Sequence, residues 1–342
     1  MTPRFIHLLT HCLSHPASPA AAPWVVLAMM LATSCPLPAA AATAAAPTGV
    51  ECVVPAKPGG GMDITCKLAQ KVLQNGAPLR ISYLPGGIGA VAWTSIITQR
   101  RGEADTLVAF SGGSLLNLAQ GKFGNAAPGD VRWVAAVGTD YGMIAVRRDS
   151  PYQSLRQLLD ALKRDPAAIA IGTGGTAGSQ DWLKMALLAK RRQIEPKSLR
   201  FVAFEGGGES FTALLAGHVQ VVSGDASEAR VHAQDGKLRI LAVLSDARLP
   251  GGLADVPTAR EQGFDVSWPT IRGFYMGPKV SDADYRQWVE RFAQLMRTPE
   301  FDRQRASSGL YPFAMTGATL TDYIRTTVEG YHRQAVKFDL VR

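Results

Sequence analysis

Cysteine and histidine are scarce in this sequence of 342 residues, which contains four of the former and six of the latter. Past residue 46, no stretch offers the roughly 18 consecutive apolar residues that a membrane-spanning helix requires. No run of Lys and Arg is interleaved with aromatic residues, which argues against nucleic acid as a partner. The length and a hydrophobic content of 46% suit a globular protein of roughly two domains. The net charge of +8 is compatible with an anionic ligand, but many exported proteins have a similar excess of basic residues.

Recognisable catalytic motifs are also missing. The sequence contains no G-x-S-x-G, no H-E-x-x-H and no G-x-x-x-x-G-K-[ST]. Beyond residue 46, the histidines His218, His232 and His332 lie in a turn or on polar helical faces, and no Cys or His spacing predicts a metal site. We therefore expect no catalytic residue, no metal and no cofactor.

One motif favours a different class of protein. Gly172, Gly174 and Ala177 satisfy the dinucleotide-binding pattern G-x-G-x-x-G/A between a predicted strand and a predicted helix. Glu205 ends the next strand, but it lies 31 residues after Gly174 (205 − 174), whereas a ribose-binding acid is expected after about 20. An exported enzyme that acts on a small acid is therefore a disfavoured alternative.

The N-terminal segment has the features of an export signal. One arginine precedes a short apolar core at residues 24–32, and an alanine-rich stretch with several A-x-A sites follows. We expect a signal peptide at residues 1–46, cleavage between Ala42 and Ala46, and a periplasmic location. A lipoprotein cleavage box ending at Cys35 is disfavoured because the alanine run beyond it explains more of the pattern.

Two cysteines, Cys52 and Cys66, remain after this cleavage. In an oxidising compartment such a pair is a disulfide candidate. Cys52 is expected on a strand and Cys66 on the following helix, and a bridge requires Cα atoms within about 7 Å. A disulfide and two inert buried thiols both remain open.

Short apolar strands alternate with amphipathic helices along the chain, which is typical of parallel sheets with crossover helices. The predicted strands are 50–56, 79–84, 106–111, 131–139, 142–148, 168–173, 199–204, 219–224, 238–245 and 271–278. The predicted helices are 63–75, 90–99, one that begins at Ser154, 179–193, 209–216, 281–297, 299–308 and 320–338.

Glycine, serine or aspartate follows six of these strands. The segment AKPGGGMD at 56–63 is the first example, and others occur at 84–90, 111–114, 172–181, 205–210 and 223–225. Glycine lets a backbone approach a bound group closely, and the first turn of a helix presents unpaired N–H groups with a partial positive charge. Because the carboxyl ends of parallel strands share one side of a sheet, these turns predict a common anion cradle. Tight strand-to-helix turns without a ligand are the alternative.

Hydroxyl groups and one cation accompany these turns. We expect the hydroxyls of Ser111, Ser114 and Ser179 to donate to carboxylate or phosphate oxygens. Arg272, on a late strand, would add a fixed positive charge, with a solvated strand residue as the alternative. Asp225 would have to meet a hydroxyl or a cation near an anion, and a structural role suits it equally well.

Eight segments follow one another along the chain. They are VVPAKPGGGMDITCKLAQ, YLPGGIGAVAW, VAFSGGSLLNLAQGKFG, VGTDYGMIAV, IGTGGTAGSQDW, FEGGGESFTALLAGHVQVVSGD, RLPGGLADVPTAREQGFD and IRGFYMGPKVSDADYRQW. In this order they resemble the extracytoplasmic solute receptors of tripartite tricarboxylate transporters, the Bug-type family. The resemblance covers roughly residue 50 to the C-terminus and is greatest for the branch that binds citrate and related tricarboxylates.

The resemblance implies a two-lobed α/β fold of the periplasmic-binding type (type II-like), in which each lobe is a mainly parallel sheet flanked by helices and the ligand lies between the lobes. We expect residues 48–147 and 272–342 to form lobe one and residues 148–271 to form lobe two. Many relatives carry a Trp beside the glycine that matches Gly273, whereas Arg272 stands here. This departure favours Arg272 as a contact for an additional carboxylate.

The sequence thus predicts a periplasmic, monomeric receptor that captures a citrate-like tricarboxylate for the membrane subunits of a tripartite transporter. A receptor for another small carboxylate, such as a dicarboxylate, an amino acid or nicotinate, is the alternative. The expected ligand-binding residues, from the turns and from the loops that the resemblance implies, are Gly60, Gly61, Met62, Asp63, Pro85, Gly86, Gly87, Ser111, Gly112, Gly113, Gly174, Gly175, Ser179, Gly207, Gly208, Asp225 and Arg272.

Overall fold

The computed structural model of the protein describes residues 49–73, 79–337 and 339–340, so the predicted signal peptide lies outside the described residues. The strands are β1 (Glu51–Val54), β2 (Arg80–Tyr83), β3 (Thr106–Ser111), β4 (Arg132–Arg147), β5 (Ile171–Gly174), β6 (Phe201–Phe204), β7 (Val221–Asp225), β8 (Leu238–Leu244), β9 (Pro269–Met276) and β10 (Met315–Thr316). The helices are α1 (Gly61–Val72), α2 (Ala90–Thr98), α3 (Gly112–Ala119), α4 (Leu155–Arg164), α5 (Gln180–Arg191), α6 (Gly207–Leu215), α7 (Ala226–Gln234), α8 (Asp282–Leu295), α9 (Pro299–Ser307) and α10 (Gly317–Lys337).

The helices form where an apolar stripe and a capping residue coincide, and α4 shows this most clearly. Ser154 precedes the helix, and its hydroxyl accepts a hydrogen bond from the backbone N–H of Gln157, which satisfies one of the unpaired donors of the first turn. The leucines at 155, 158, 159 and 162 recur at helical spacing and are fully buried. The sequence pattern therefore predicts both the start of α4 and the face that packs on the sheet.

The strands form one mixed sheet in the order β2-β1-β3-β9-β4-β7-β5-β6, with β8 and β10 also paired to β4. The pairs β1–β2, β1–β3, β5–β6 and β5–β7 are parallel, as the alternation predicts. By contrast, β4 and β9 pair antiparallel with all of their neighbours. The parallel strands thus lie in two groups, and antiparallel strands join them.

Strand β4 belongs to both groups. Its residues Arg132–Tyr141 pair with β9, whereas Gly142–Val146 pair with β7. We call β2, β1, β3, β9, β10 and the first part of β4 the first half-sheet, and the second part of β4 with β7, β8, β5 and β6 the second half-sheet. The sequence predicts two separate strands here, at 131–139 and 142–148, and this prediction is wrong because one strand of 16 residues runs through both half-sheets.

Two helices were not predicted from the sequence, and both follow glycine-rich or polar strand ends. Helix α3 begins immediately after β3, and α7 begins immediately after β7. Their polar first turns obscure the helical periodicity, since α7 in particular carries a polar residue at most positions. Both helices prove to matter for the site described below.

Cys52 on β1 and Cys66 on α1 form a disulfide, with their Cα atoms 5.7 Å apart. Of the two alternatives that the sequence leaves open, the bridge is therefore the one observed. It ties the first strand to the first helix inside a buried cluster that also contains Leu68, Leu107 and Phe274. Within the described residues, no helix combines the length and the apolar character that crossing a membrane would need.

Candidate functional site

Five helices begin around one small cavity of ≈ 60 Å³, which is lined by residues of both half-sheets. Each of the five follows a strand of the parallel groups, so the carboxyl ends of these strands converge as the sequence predicts. A helix start carries unpaired N–H groups and a partial positive charge. The helices concerned are α1, α3, α5, α6 and α7, which follow β1, β3, β5, β6 and β7.

Ten of the seventeen predicted ligand-binding residues line this cavity, and they come from six different segments of the chain. They are Gly60, Gly61, Met62, Ser111, Gly113, Gly174, Ser179, Gly207, Asp225 and Arg272. The structure therefore brings together the ends of β1, β3, β5, β6 and β7, and it adds Arg272 from β9.

The other seven predicted residues do not line the cavity. In the loop after β2, it is Ile88 that reaches the cavity, from a short 3-10 turn in which Gly87 has a left-handed φ of 57°. Gly208 lies instead against the backbone of the loop before α1. The residues of this group are Asp63, Pro85, Gly86, Gly87, Gly112, Gly175 and Gly208.

Several of the predicted polar contacts act inside the protein. The buried carboxylate of Asp63 accepts hydrogen bonds from the N–H of Gly59 at 2.8 Å, from Lys67 and from Tyr83. The hydroxyl of Ser111 accepts from the N–H of Gly113 at 3.1 Å, as an N-cap of α3. These hydrogen bonds hold the helix starts in place.

Arg272 lines the cavity as a buried cation, so the alternative of a solvated strand residue is wrong, but its charge is paired with carboxylates of the protein. It is 2% exposed, and its Nη2 donates to Asp140 at 3.0 Å and to Asp225 at 2.5 Å. Burial lowers the pKa of Arg272, but the charges of Asp225 and Asp140 outweigh burial and raise it. The positive charge of Arg272 is thus already compensated by two carboxylates.

Lys184, on the first two turns of α5, forms a second buried ionic cluster with Asp225. Its Nζ donates to Asp181 at 2.8 Å, to Asp225 at 2.5 Å and to the carbonyl of Gly224 at 2.9 Å. Asp225 therefore lies between two cations, and their charges lower its pKa although burial opposes the shift. Asp225 thus lines the cavity and meets two cations, which fits both the site role and the structural role that the sequence left open.

Glu228, on the first turn of α7, places a carboxylate at the start of α1. Its Oε1 accepts a hydrogen bond from the backbone N–H of Gly61 at 2.5 Å. A Cβ added at Gly207 would overlap the same carboxylate, which shows how closely Glu228 also approaches the start of α6. Burial, followed by the charge of Asp225, raises the pKa of Glu228 to about 8.

The buried charges around the cavity do not balance. Four carboxylates lie together with only two cations, so the cluster has a net charge of −2 when all six groups are ionised (2 − 4). Burial raises the pKa of Asp140 and of Asp181, and the charge of Asp225 acts in the same direction, while a nearby cation opposes each shift. The six residues are Asp140, Asp181, Asp225, Glu228, Lys184 and Arg272.

The two sides of the cavity touch one another at several points. Lys57 pairs with Glu209 across the gap, and Gln120 donates to the carbonyl of Gly178 at 2.7 Å. A Cβ at Gly208 would lie 2.5 Å from a backbone oxygen of the loop before α1. These contacts must break before a molecule larger than the cavity can enter.

Sequence reasoning missed most of the charged residues of the site. Asp181 lies within the segment GTGGTAGSQDW, and Lys184 follows it at helical spacing. Asp225 and Glu228 repeat the same spacing at the start of α7. The available signal was the pair Asp181 and Lys184, three residues apart on the predicted helix 179–193, whereas nothing in the sequence indicates that Asp140 pairs with Arg272.

A larger apolar hollow of ≈ 410 Å³ lies apart from these residues, and its lining includes Leu183, Trp268 and Tyr331. Among the described residues, no charged side chain lines it. Its lining is mostly apolar and no helix start converges on it, so the smaller cavity at the helix starts is the candidate site.

The model of the tripartite tricarboxylate transporter family receptor matches residues 119–337 of this chain. The chain belongs to this receptor family. Receptors of this class bind solutes, and the two-domain α/β fold of periplasmic binding proteins is the fold seen here. The residues matched include α5, α6, α7 and β9, which supply most of the candidate site.

Individual relatives are distant. A UPF0065 protein in the gbd 5′ region of Cupriavidus necator is 25% identical over 193 residues, which cover 56% of this chain and 57% of that protein. MatC (Rpa3494) from Rhodopseudomonas palustris with bound malate is 20% identical over 86% of this chain and 99% of its own, with a TM-score of 0.70. R. palustris Rpa4515 with adipate is 17% identical over 84% of this chain and 96% of its own, with a TM-score of 0.75. At these identities the likeness to the two solved structures establishes the fold of this receptor.

Proposed function

We propose that this receptor captures a small carboxylate at the convergent helix starts and delivers it to the membrane subunits of a tripartite transporter. The observation that carries the proposal is the convergence of α1, α3, α5, α6 and α7 on one cavity. Backbone N–H groups at helix starts bind carboxylates without needing a side-chain cation. Solved relatives with malate and with adipate support the same class of ligand.

The charge of the ligand is the finer question. The sequence predicts a citrate-like tricarboxylate, read in part by Arg272. The buried cluster already has more carboxylates than cations, and Arg272 is paired with Asp140 and Asp225. Each added negative charge must be taken out of water and placed beside this excess, which is costly. We therefore predict that a dicarboxylate or monocarboxylate binds more tightly than a tricarboxylate.

Two cavity-lining residues support a polar ligand. One carboxylate oxygen of Glu205 and the Nε of Arg272 are buried and have no hydrogen-bond partner. A buried polar group without a partner costs free energy, so these atoms favour a bound molecule or water that supplies one. A donor on the ligand, such as a hydroxyl, suits Glu205.

The receptor function implies movement of the lobes. The predicted division begins lobe two at residue 148, whereas the change of partners in β4 lies between Tyr141 and Gly142 and favours a first crossing there. Contacts across the cavity exist only in the closed arrangement, and a ligand that adds to them shifts the equilibrium towards closure. A periplasmic location, a monomeric state and the predicted signal peptide complete the proposal.

Calorimetry on ligand-stripped protein tests the ligand class, with citrate, tricarballylate, malate, succinate and adipate as probes. We expect binding of at least one dicarboxylate and weaker binding of the two tricarboxylates. Binding of no carboxylate would refute the proposed function, and tightest binding of citrate or tricarballylate would refute the ranking by charge.

A matched pair of glycine variants tests the place of binding. A Cβ at Gly61 would overlap the guanidinium of Arg272, whereas a Cβ at Gly129 meets nothing within 4 Å. We expect Gly61→Ala to weaken carboxylate binding by at least about tenfold, or about 1.4 kcal/mol, and Gly129→Ala to leave it unchanged. Equal affinity in both variants would place the ligand elsewhere.

A further inference from the structure

Glu228 brings a carboxylate of the protein itself to the anion cradle. It extends from the first turn of α7 to the start of α1, where it accepts the N–H of Gly61 at 2.5 Å. The same carboxylate lies against Gly207, the first residue of α6. Glu228 is 7% exposed, so water does not separate it from these helix starts. A carboxylate therefore already occupies the position between two helix starts in this receptor.

This position is also where a ligand carboxylate gains most from the helix starts. The N–H of Gly61 has one hydrogen, which a ligand oxygen and Glu228 cannot both accept at full strength. A second ionised carboxylate beside Glu228 would also meet direct repulsion in a poorly solvated site. A ligand carboxylate therefore competes with Glu228 for this position.

Other charged groups approach Glu228 from every element packed around it. Asp225 lies on β7 three residues earlier, Asp181 and Lys184 lie on α5, Asp140 lies on β4, and Arg272 lies on β9. At the rim, Glu205 precedes α6, while Glu209 on α6 is paired with Lys57. Asp63 on α1 is tied to Lys67 and Tyr83. Acidic side chains outnumber basic ones among these neighbours, so the charged side chains around Glu228 do not favour a second ionised carboxylate.

We propose that Glu228 is a built-in occupant of the anion cradle and that a ligand carboxylate binds there only while Glu228 carries a proton. The inference rests on the proposed carboxylate function. Protonation removes the repulsion between the two carboxylates, and the acid O–H of Glu228 then becomes a donor to the ligand. Capture of the ligand is thereby coupled to one proton, and Glu228 determines the pH range over which the receptor binds.

The direction of the pH effect follows from this coupling. Burial and the charge of Asp225 raise the pKa of Glu228 to about 8, so the proton is present near neutral pH. Affinity for a carboxylate should be constant below this value and should fall about tenfold for each pH unit above it. A ligand that carries a cation would behave in the opposite way, because ionised Glu228 would attract it.

Calorimetry with malate and with adipate between about pH 6 and about pH 10 tests the coupling. We expect the native protein to lose affinity above about pH 8, and Glu228→Gln to bind the same probe with an affinity that no longer depends on pH. Glu290→Gln, an exposed glutamate on α8, is the matched control and should retain the native pH profile. A native profile in Glu228→Gln, or no loss of affinity in the native protein, would overturn the inference.

A measurement without ligand separates this inference from the proposed function. Because the folded protein holds the Glu228 proton more tightly than the unfolded chain, its stability falls as pH rises from about 4.5 to about 8. The melting temperature of the native protein should therefore drop relative to that of Glu228→Gln across this range. If no probe binds at any pH but this drop is seen, the carboxylate function fails while the raised proton affinity of Glu228 stands. If a probe binds but no drop is seen, the proton coupling fails while the function stands.

Discussion

Lys184 offers the most direct test of how the candidate site is held together. Its side chain is fully buried, and its ammonium group contacts Asp181 at 2.8 Å, Asp225 at 2.5 Å and the carbonyl of Gly224. Replacing it with methionine preserves much of the volume but removes the cation from two buried carboxylates. Leaving buried charge without its partner typically costs about 3–5 kcal/mol, which we expect for Lys184→Met. Converted to melting temperature, this is a fall of roughly 6–10 °C.

Chemical denaturation with urea at about pH 5 and at about pH 8 measures this loss and its pH dependence. Burial already raises the pKa of Asp181, and loss of the Lys184 charge raises it further and also raises that of Asp225, so the variant loses more stability as pH rises. Lys190→Met, on the exposed side of the same helix, is the matched control and should cost less than about 1 kcal/mol. Adding Asp181→Asn to Lys184→Met should restore part of the loss. A loss below about 1 kcal/mol, or an equal loss at both pH values, would refute the reasoning.

Three further predictions concern the scaffold. Reducing the Cys52–Cys66 disulfide, which closes a separation of 14 residues, should lower the unfolding free energy by about 3 kcal/mol in denaturation with and without reductant, and no change would show that the bridge is dispensable. Leu159→Ala, at a fully buried position of α4, should cost about 2–5 kcal/mol in the same assay, and a cost near zero would contradict the packing described. Burial raises the pKa of Glu51, but side-chain hydrogen bonds and the charge of Arg100 outweigh burial and lower it. Ionised Glu51 therefore stabilises the folded protein above about pH 4.5, and this stabilisation is lost as pH falls. Glu51→Gln should lower the unfolding free energy at neutral pH and not at about pH 3, and an equal loss at both would refute the assignment.

The fold could be predicted from the sequence where local signals agree. The leucine stripe and serine cap of α4, and the apolar runs of β1, β3 and β7, all appear in the structure at the predicted places. The continuity of β4 could not be predicted, because the polar pair Thr139–Asp140 resembles a turn in the sequence. Asp140 is buried there by pairing with Arg272 and Ser227, which are remote along the chain.

In the site, the convergence of backbone amides could be predicted from the sequence, whereas the pairing of charged side chains could not. The glycine-rich strand ends predicted where backbone amides converge, and residues such as Gly61, Gly113 and Gly207 line the cavity. Arg272 was predicted as a contact for an additional carboxylate, but sequence reasoning had no means of seeing that Asp140 and Asp225 pair with it. The occupation of the cradle by a glutamate 167 residues away from Gly61 in sequence was equally out of reach.

By itself, the sequence determined most of the elements and the side of the sheet at which the glycine-rich strand ends meet, since apolar periodicity, caps and glycine turns act over a few residues. Only the tertiary structure decided the electrostatics of the site. The net charge that a ligand meets depends on which carboxylates and cations fall within a few ångströms of one another after burial, and these come from β4, α5, β7, α7 and β9. Coulomb interactions depend on distance in space and on exclusion of water, and neither can be predicted from the order of the residues.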